Sequence, residues 1–235
     1  MTRGMRRPDF AQLGPPALDA RDLLFLFEHF PVPGVDAVEA ARRIHDHWNT
    51  LDSLLESDYV FEAICDRSVM WLEVSPKLFF NVLLRRALKG RRHSVERNTI
   101  QYLANLLGVF TRTDRMYRVQ GDEQQTFQYL VDLVAEAAQS GPERLFVVHS
   151  HIGNYALVTS GLFAPWIEHR HRYHHRPVNI EYYCKMGSSY YFTASRHHLA
   201  DEFGLRAVFR DLADRFEYYR GGLERLGERY LKQAA

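Results

Sequence analysis

From Asp36 to about Ser57 the apolar residues Val38, Ala41, Ile44, Trp48, Leu51 and Leu55 return every three or four positions. That is the period of one buried helical face, and it predicts a single amphipathic helix across the segment. Ahead of it, Asp19 is placed to cap a short helix that ends before Pro31, because a carboxylate there accepts an orphan N–H of the first turn. Behind it, Tyr59 to Leu72 repeats the pattern through Val60, Ile64 and Cys65. Ser75 and Pro76 then supply a cap and a first-position proline for a helix over Lys77 to Lys89, with Gly90 at its end.

Val95 to Leu107 carries Ile100, Leu103, Leu106 and Leu107, and Gly108 is expected to terminate that helix in a left-handed conformation. Phe110 to Val119 reads as a short extended connection. Asp122 is expected to cap a helix whose Phe127, Leu130, Val131, Val134 and Ala138 share a face, and Gly141-Pro142 breaks it. Leu145 to Ile167 is the most apolar stretch and reads as a central buried helix, although Leu145 to Val148 alone fits a strand equally well. Glu168 to Pro177 holds four histidines and three arginines with no apolar period, which points to a solvated loop. Asn179 to Cys184 fits either helix or strand. Helices over Ser188 to Phe203, Leu205 to Tyr219 and Leu223 to Lys232 complete the chain, punctuated by Gly204 and Gly221-Gly222.

These patterns predict an all-α fold: a compact multi-helix bundle around a central apolar helix, with at most a minor extended segment. Residues 1–16, with Arg3, Arg6 and Arg7 followed by Pro8, Pro15 and Pro16, read as a flexible N-terminal arm. No repeat or linker divides 17–235, so a single helical domain is expected there.

A chain of 235 residues that is 46% hydrophobic has enough apolar side chains to fold without disulfides or a structural metal. Cys65 and Cys184 form no paired pattern, which suggests a reducing compartment, with cytoplasm the default. No run approaches the roughly 20 clean apolar residues of a spanning helix, so no membrane partner is expected. The net charge of +1 excludes a bulk polybasic binder. It conceals an asymmetry, however. Ala17 to Ser75 holds twelve acidic and four basic residues, whereas Arg85 to Arg118 holds nine basic and two acidic ones. Either the two segments compensate one another, or Arg85, Arg86, Lys89, Arg91, Arg92 and Arg97 form an anion- or nucleic-acid-binding surface.

Several further features bear on chemistry. His151, Asn154 and Tyr155 lie at offsets of three and four within the apolar stretch, so a helix would gather them on one face, either as a satisfied polar network or as a ligand pocket. His151-Ile152-Gly153-Asn154-Tyr155 resembles the start of the motif of membrane-associated acyltransferases, but Ala156 occupies the position of the acid that would orient the histidine base, and the assignment fails. Leu103-Ala104-x3-Gly108-Val109 and Leu199-Ala200-x3-Gly204-Leu205 resemble the first half of a helix-turn-helix, with Asp114 and Arg210 standing where the second helix needs an apolar anchor. Glu168, His171, His197, His198, Asp201 and Glu202 lack the number and spacing of a metal centre, and no cofactor motif is present. Lastly, Tyr182, Tyr183, Tyr190, Tyr191, Phe192, Phe216, Tyr218 and Tyr219, flanked by Arg215, Arg220, Arg225 and Arg229, give the C-terminal third the composition of a protein interface. The leading expectation is therefore a non-catalytic protein that binds itself or another protein through that third. Nucleic-acid binding by 85–118 and a small-molecule enzyme or ligand carrier centred on His151 are the alternatives.

Overall fold

The computed structural model describes residues 7–11, 13, 18–30, 36–44, 48–66, 74–88, 94–173 and 178–231, and every regular element among them is helical. In chain order they are α1 (Ala20–Glu28), α2 (Ala37–Arg43), α3 (Trp48–Leu55), α4 (Asp58–Cys65), α5 (Pro76–Ala87), α6 (Ser94–Phe110), α7 (Thr113–Met116) and α8 (Leu130–Gln139). Then follow α9 (Pro142–Leu162), α10 (Ala164–Tyr173), α11 (Ile180–Ser195), α12 (His198–Glu202), α13 (Arg206–Asp214) and α14 (Phe216–Leu226), which runs into a π-helical turn, Gly227–Leu231.

Side-chain caps fix several helix starts. Asp19 accepts the Asp22 N–H at 2.9 Å and the Asp22 carboxylate reaches back to the Asp19 N–H, a reciprocal capping box. The buried Asp22 carboxylate also accepts the Ser75 N–H at 2.8 Å and its hydroxyl at 2.6 Å. Ser75 Oγ in turn accepts the Leu78 N–H at 3.2 Å, so one carboxylate ties the start of α1 to the start of α5.

The apolar faces build two adjoining cores. The smaller gathers Leu23, Leu26, Ile44, Leu51, Leu54, Leu55, Val60 and Ile64 from α1 to α4. Helix α5 is buried on both sides: Leu78 and Val82 enter this smaller core, while Leu83, Leu84 and Leu88 enter the larger one. The larger core wraps α9, in which every residue from Ser150 to Gly161 is buried. Helices α11 and α14 approach α9 closely because glycine stands at the crossings. A Cβ on Gly153 would lie 2.8 Å from the Tyr191 ring, and one on Gly161 would lie 2.6 Å from Leu223 Cβ.

Several expected boundaries move. The helix read over Asp36 to Ser57 is two helices, α2 and α3, and this break lets Ile44 and Leu51 enter the same small core as α1. Gly108 lies inside α6 and Gly221-Gly222 inside α14; of these Gly222 serves close packing and abuts Leu88 with no room for a Cβ, whereas a Cβ on Gly108 would meet Lys77 at an ordinary contact distance. Gly204, by contrast, has φ +69° and makes the turn before α13. The 110–119 connection contains a short helix, and α8 starts at Leu130 with Leu133 and Ala137 inward and Val131 exposed. Helix α9 continues past the ambiguous Leu145–Val148, and Asn179 caps a helix over Ile180–Ser195 by accepting the Tyr182 N–H at 2.9 Å. Residues 168–173, expected in a loop, are the second half of α10, and Leu72, Lys89, Gly90 and 174–177 lie outside the described residues. Within the stretch read as an arm, Asp9–Ala11 is a 3-10 turn whose Phe10 and Ala11 are buried, with Phe10 edge-on to Tyr102.

Candidate functional site

Helix α9 brings His151, Asn154 and Tyr155 together on one buried face, and each is bound to protein. The Asn154 carbonyl oxygen accepts the Tyr102 hydroxyl at 2.6 Å and the Tyr191 hydroxyl at 2.7 Å, which joins α6, α9 and α11 at one atom. Its Nδ2 has no partner among the described residues. Burial pushes both phenol pKa values well above their ordinary range, so the two tyrosines are fixed as donors. His151 Nε2 donates to the Met116 carbonyl at 3.0 Å, which sets its tautomer. Burial, with Arg115 and Arg144 nearby, drives its pKa down to about 4, so the ring is neutral at pH 7. Tyr155 donates to the Gln128 carbonyl at 3.3 Å. The periodicity of α9 located this trio, but Tyr102 and Tyr191, which complete it, carry no local signal and come from 52 and 37 residues away. The described surface cavities are lined by other residues.

The basic segment is occupied internally. Arg85 is buried and donates to Asp52 at 2.6 Å and to Glu56 at 2.9 Å, while its Nε donates to the Asn81 amide oxygen at 2.8 Å. The chain continues inward, with Asn81 donating to Gln101 at 2.8 Å and Gln101 to Asn105 at 3.2 Å. Arg97 pairs with Asp52 at 2.8 Å, Arg86 with Asp58 and Arg115 with Asp9. Arg112 and Arg118 both face Asp114. Thus the acidic N-terminal segment meets the basic one at Arg85, Arg86 and Arg97, and its carboxylates take up the guanidinium groups that a phosphate would need there, while Asp9 and Asp114 pair with the rest. Lys89, Arg91 and Arg92 lie outside the described residues. The stretch Leu103 to Gly108 sits within the unbroken α6, which removes the turn that a helix-turn-helix requires there.

Most of the C-terminal aromatic cluster is core. Tyr191 and Tyr219 are fully buried, and Tyr183 and Phe216 nearly so. Arg215 pairs with Asp211 at 2.7 Å and stacks on Tyr218 and Tyr219, Arg220 pairs with Glu217 and Glu224, and Arg225 donates to the Ala87 carbonyl at 2.9 Å. Of that cluster Tyr182 and Phe192 stay exposed, whereas Tyr218 donates to Glu96 at 2.8 Å and Tyr219 is in the core. More aromatic surface is exposed at α10, which buries Ala164 and Ile167 and leaves Trp166 49% and Tyr173 64% exposed, with Phe163 exposed just before it. Arg170 lies over the Trp166 ring at 4.6 Å, and among the described residues neither Arg170 nor Arg172 has an ion-pair partner. A cavity of about 280 Å³ lies where α9 ends and α10 begins, walled by Phe163 and Pro165 and by Gly227, Glu228 and Leu231. A second, of about 190 Å³, lies between Ile167, His171 and the start of α11.

His197 caps α12, its Nδ1 accepting the Leu199 N–H at 3.2 Å, and Asp201 is paired with Arg206 rather than turned toward His197. Among the described residues no three His, Cys, Asp or Glu side chains converge as metal ligands, and no helix is long and apolar enough to cross a membrane. Comparison with known proteins adds no further identification: no family model, no curated protein and no solved structure matches this chain.

Proposed function

We propose that this chain is a non-catalytic helical protein that works by associating with protein, a second copy of itself included, through the face of α10. The observation that carries this reading is the concentration of exposed aromatic surface there, Phe163, Trp166 and Tyr173, on a helix that buries only two of its residues. Exposed aromatics next to arginine are the composition of binding hot spots, and one cavity at the start of α10 and another between α10 and α11 add relief into which partner side chains fit. The two other readings draw less support. The six described basic residues of 85–118 named above are all ion-paired, and the His151 trio has its hydrogen bonds within the core. A reducing, cytoplasmic setting remains part of the proposal, since both cysteines are free thiols.

The test is light scattering on the purified chain across a range of concentrations. The wild type is expected to show a mass above that of one chain that rises with concentration, and a Trp166→Glu/Tyr173→Glu variant is expected to return to the single-chain mass with its melting temperature unchanged. A wild type that stays at single-chain mass throughout sinks the reading.

A further inference from the structure

Residues 7–11 are seated in a bed made by elements far along the chain. Phe10 and Ala11 are buried, and the Phe10 ring meets Tyr102 of α6 edge-on at 5.8 Å. Arg115 of α7 pairs with Asp9 at 2.8 Å, and Arg7 donates to the Phe203 carbonyl just after α12 and lies over the Phe203 ring. Within the segment one 3-10 turn is closed by the Ala11 N–H on the Pro8 carbonyl at 3.0 Å. The attachment is modest: the Asp9 carboxylate is 47% exposed, and an ion pair at the surface adds little. It also leaves part of the Arg115 guanidinium unused. The pairing with Asp9 runs through Nη1, while Nε is buried with no hydrogen-bond partner among the described residues. A carboxylate free to turn engages a guanidinium through two parallel N–H bonds, so the resident segment is a replaceable occupant of this bed.

We propose that the bed formed by Tyr102, Arg115 and Phe203 is a recognition site for a segment of a partner protein in which an acidic residue is followed by an aromatic and then a small one, and that residues 7–11 hold it closed in the free chain. The seated segment itself supplies the argument for that occupant, because its carboxylate, ring and methyl group show which chemistry each part of the bed accepts. The site uses no residue of α10 and stands independently of the face described above. Because the resident segment is tethered, its effective concentration is on the order of 1 mM, and a bed with an intrinsic dissociation constant of about 10 μM is then closed about 99% of the time. A partner segment therefore meets an apparent affinity about 100-fold weaker than the open bed offers.

The probe is a fluorescein-labelled peptide with the sequence of residues 5–13, titrated by anisotropy against the whole chain. An Asp9→Ala/Phe10→Ala variant of the whole chain is expected to bind it at one site, about 100-fold more tightly than the wild type does. Two altered peptides leave the protein untouched. The peptide carrying Asp9→Asn is expected to bind the variant about tenfold more weakly, and the one carrying Phe10→Ala to show no measurable binding. A folded variant that ignores the parent peptide overturns the site, as does one that binds all three peptides alike. Equal affinity in wild type and variant overturns the closure by residues 7–11. Hydrogen exchange on the wild type decides the matter even where the variant fails to fold. The Ala11 amide is expected to exchange through local opening, faster than the buried amides of α9, and faster still with the parent peptide at about 1 mM. An Ala11 amide that exchanges only with global unfolding, at the rate of α9, overturns the proposal.

Discussion

His151 shows how a titratable side chain is held in one state by its surroundings. Its ring is enclosed, donates to the Met116 carbonyl, and faces Arg115 and Arg144, with Asp9 the nearest opposing charge. A pKa lowered to about 4 in the fold, against about 6.5 in an unfolded chain, means that between those values the unfolded chain binds the proton and the folded one does not. Stability from this residue is therefore complete above about pH 6.5 and declines as pH falls toward 4, by roughly 2 kcal/mol at pH 5. Melting curves should show the wild type losing stability over this window. In His151→Gln the loss should be smaller by that amount, so the gap between the two proteins narrows with acidification. A constant gap from pH 7 to pH 5 would contradict the assignment. Gly153, two residues along, illustrates a different constraint, since the Tyr191 ring occupies the space of its missing side chain and so places the hydroxyl that binds Asn154.

The short helix α12 depends on a histidine for its start. The Nδ1 atom of His197 accepts the Leu199 N–H, which only a ring unprotonated at that nitrogen can do. Burial and the neighbouring His198 lower its pKa, His149 lies on the packed face of α9, and Glu143 is the nearby acid. Acidification thus converts the acceptor into a donor and removes the cap. Hydrogen exchange should show the protection factor of the Leu199 amide falling between pH 7 and pH 5 in the wild type and holding steady in His197→Asn, whose side chain caps without titrating. Equal pH dependence in both proteins would rule this out. Two caps were legible in the sequence, Asp19 and Ser75, because each sits where an apolar period begins; Asp122, expected to cap, precedes a helix that starts only at Leu130, and Asn179 caps a stretch whose pattern fits helix and strand alike. Glycine was less legible because it has two uses. Gly204 makes a turn by its backbone freedom, while Gly161 and Gly222 stay helical and admit Leu223 and Leu88, and only the neighbour distinguishes these cases. Helix α10 was missed for a related reason. A helix exposed on most of its surface has too few buried positions to display a period, so its second half, Glu168 to Tyr173, read as loop, while Ala164 to Ile167 read as the end of the central helix.

Across the whole molecule, the dipolar charge distribution is folded onto itself. The buried Arg85 joins Asp52 and Glu56 to an amide chain running through Asn81, Gln101 and Asn105, so the contact between the smaller and larger cores is polar as well as apolar. With these guanidinium groups engaged, duplex DNA and single-stranded RNA should show no retained complex in gel-shift titrations at about 150 mM salt. Tight binding whose affinity falls steeply as salt rises would overturn that expectation. The all-α class followed from periodicity, and so did the polar trio on α9, because both depend on spacing within one helix. The pairing of the acidic and basic segments appeared only as one of two possibilities, since composition gives the signs of charges but not their distances.

Helix α14 completes both long walls of the larger core: Leu223 fits against Gly161 of α9, Gly222 against Leu88, and Arg225 binds the carbonyl of Ala87. During synthesis, translation must therefore pass Arg225 before the groove between α5 and α9 is filled. A ribosome paused earlier holds a nascent chain with that greasy channel bare, the kind of surface that makes a partly folded chain prone to aggregate.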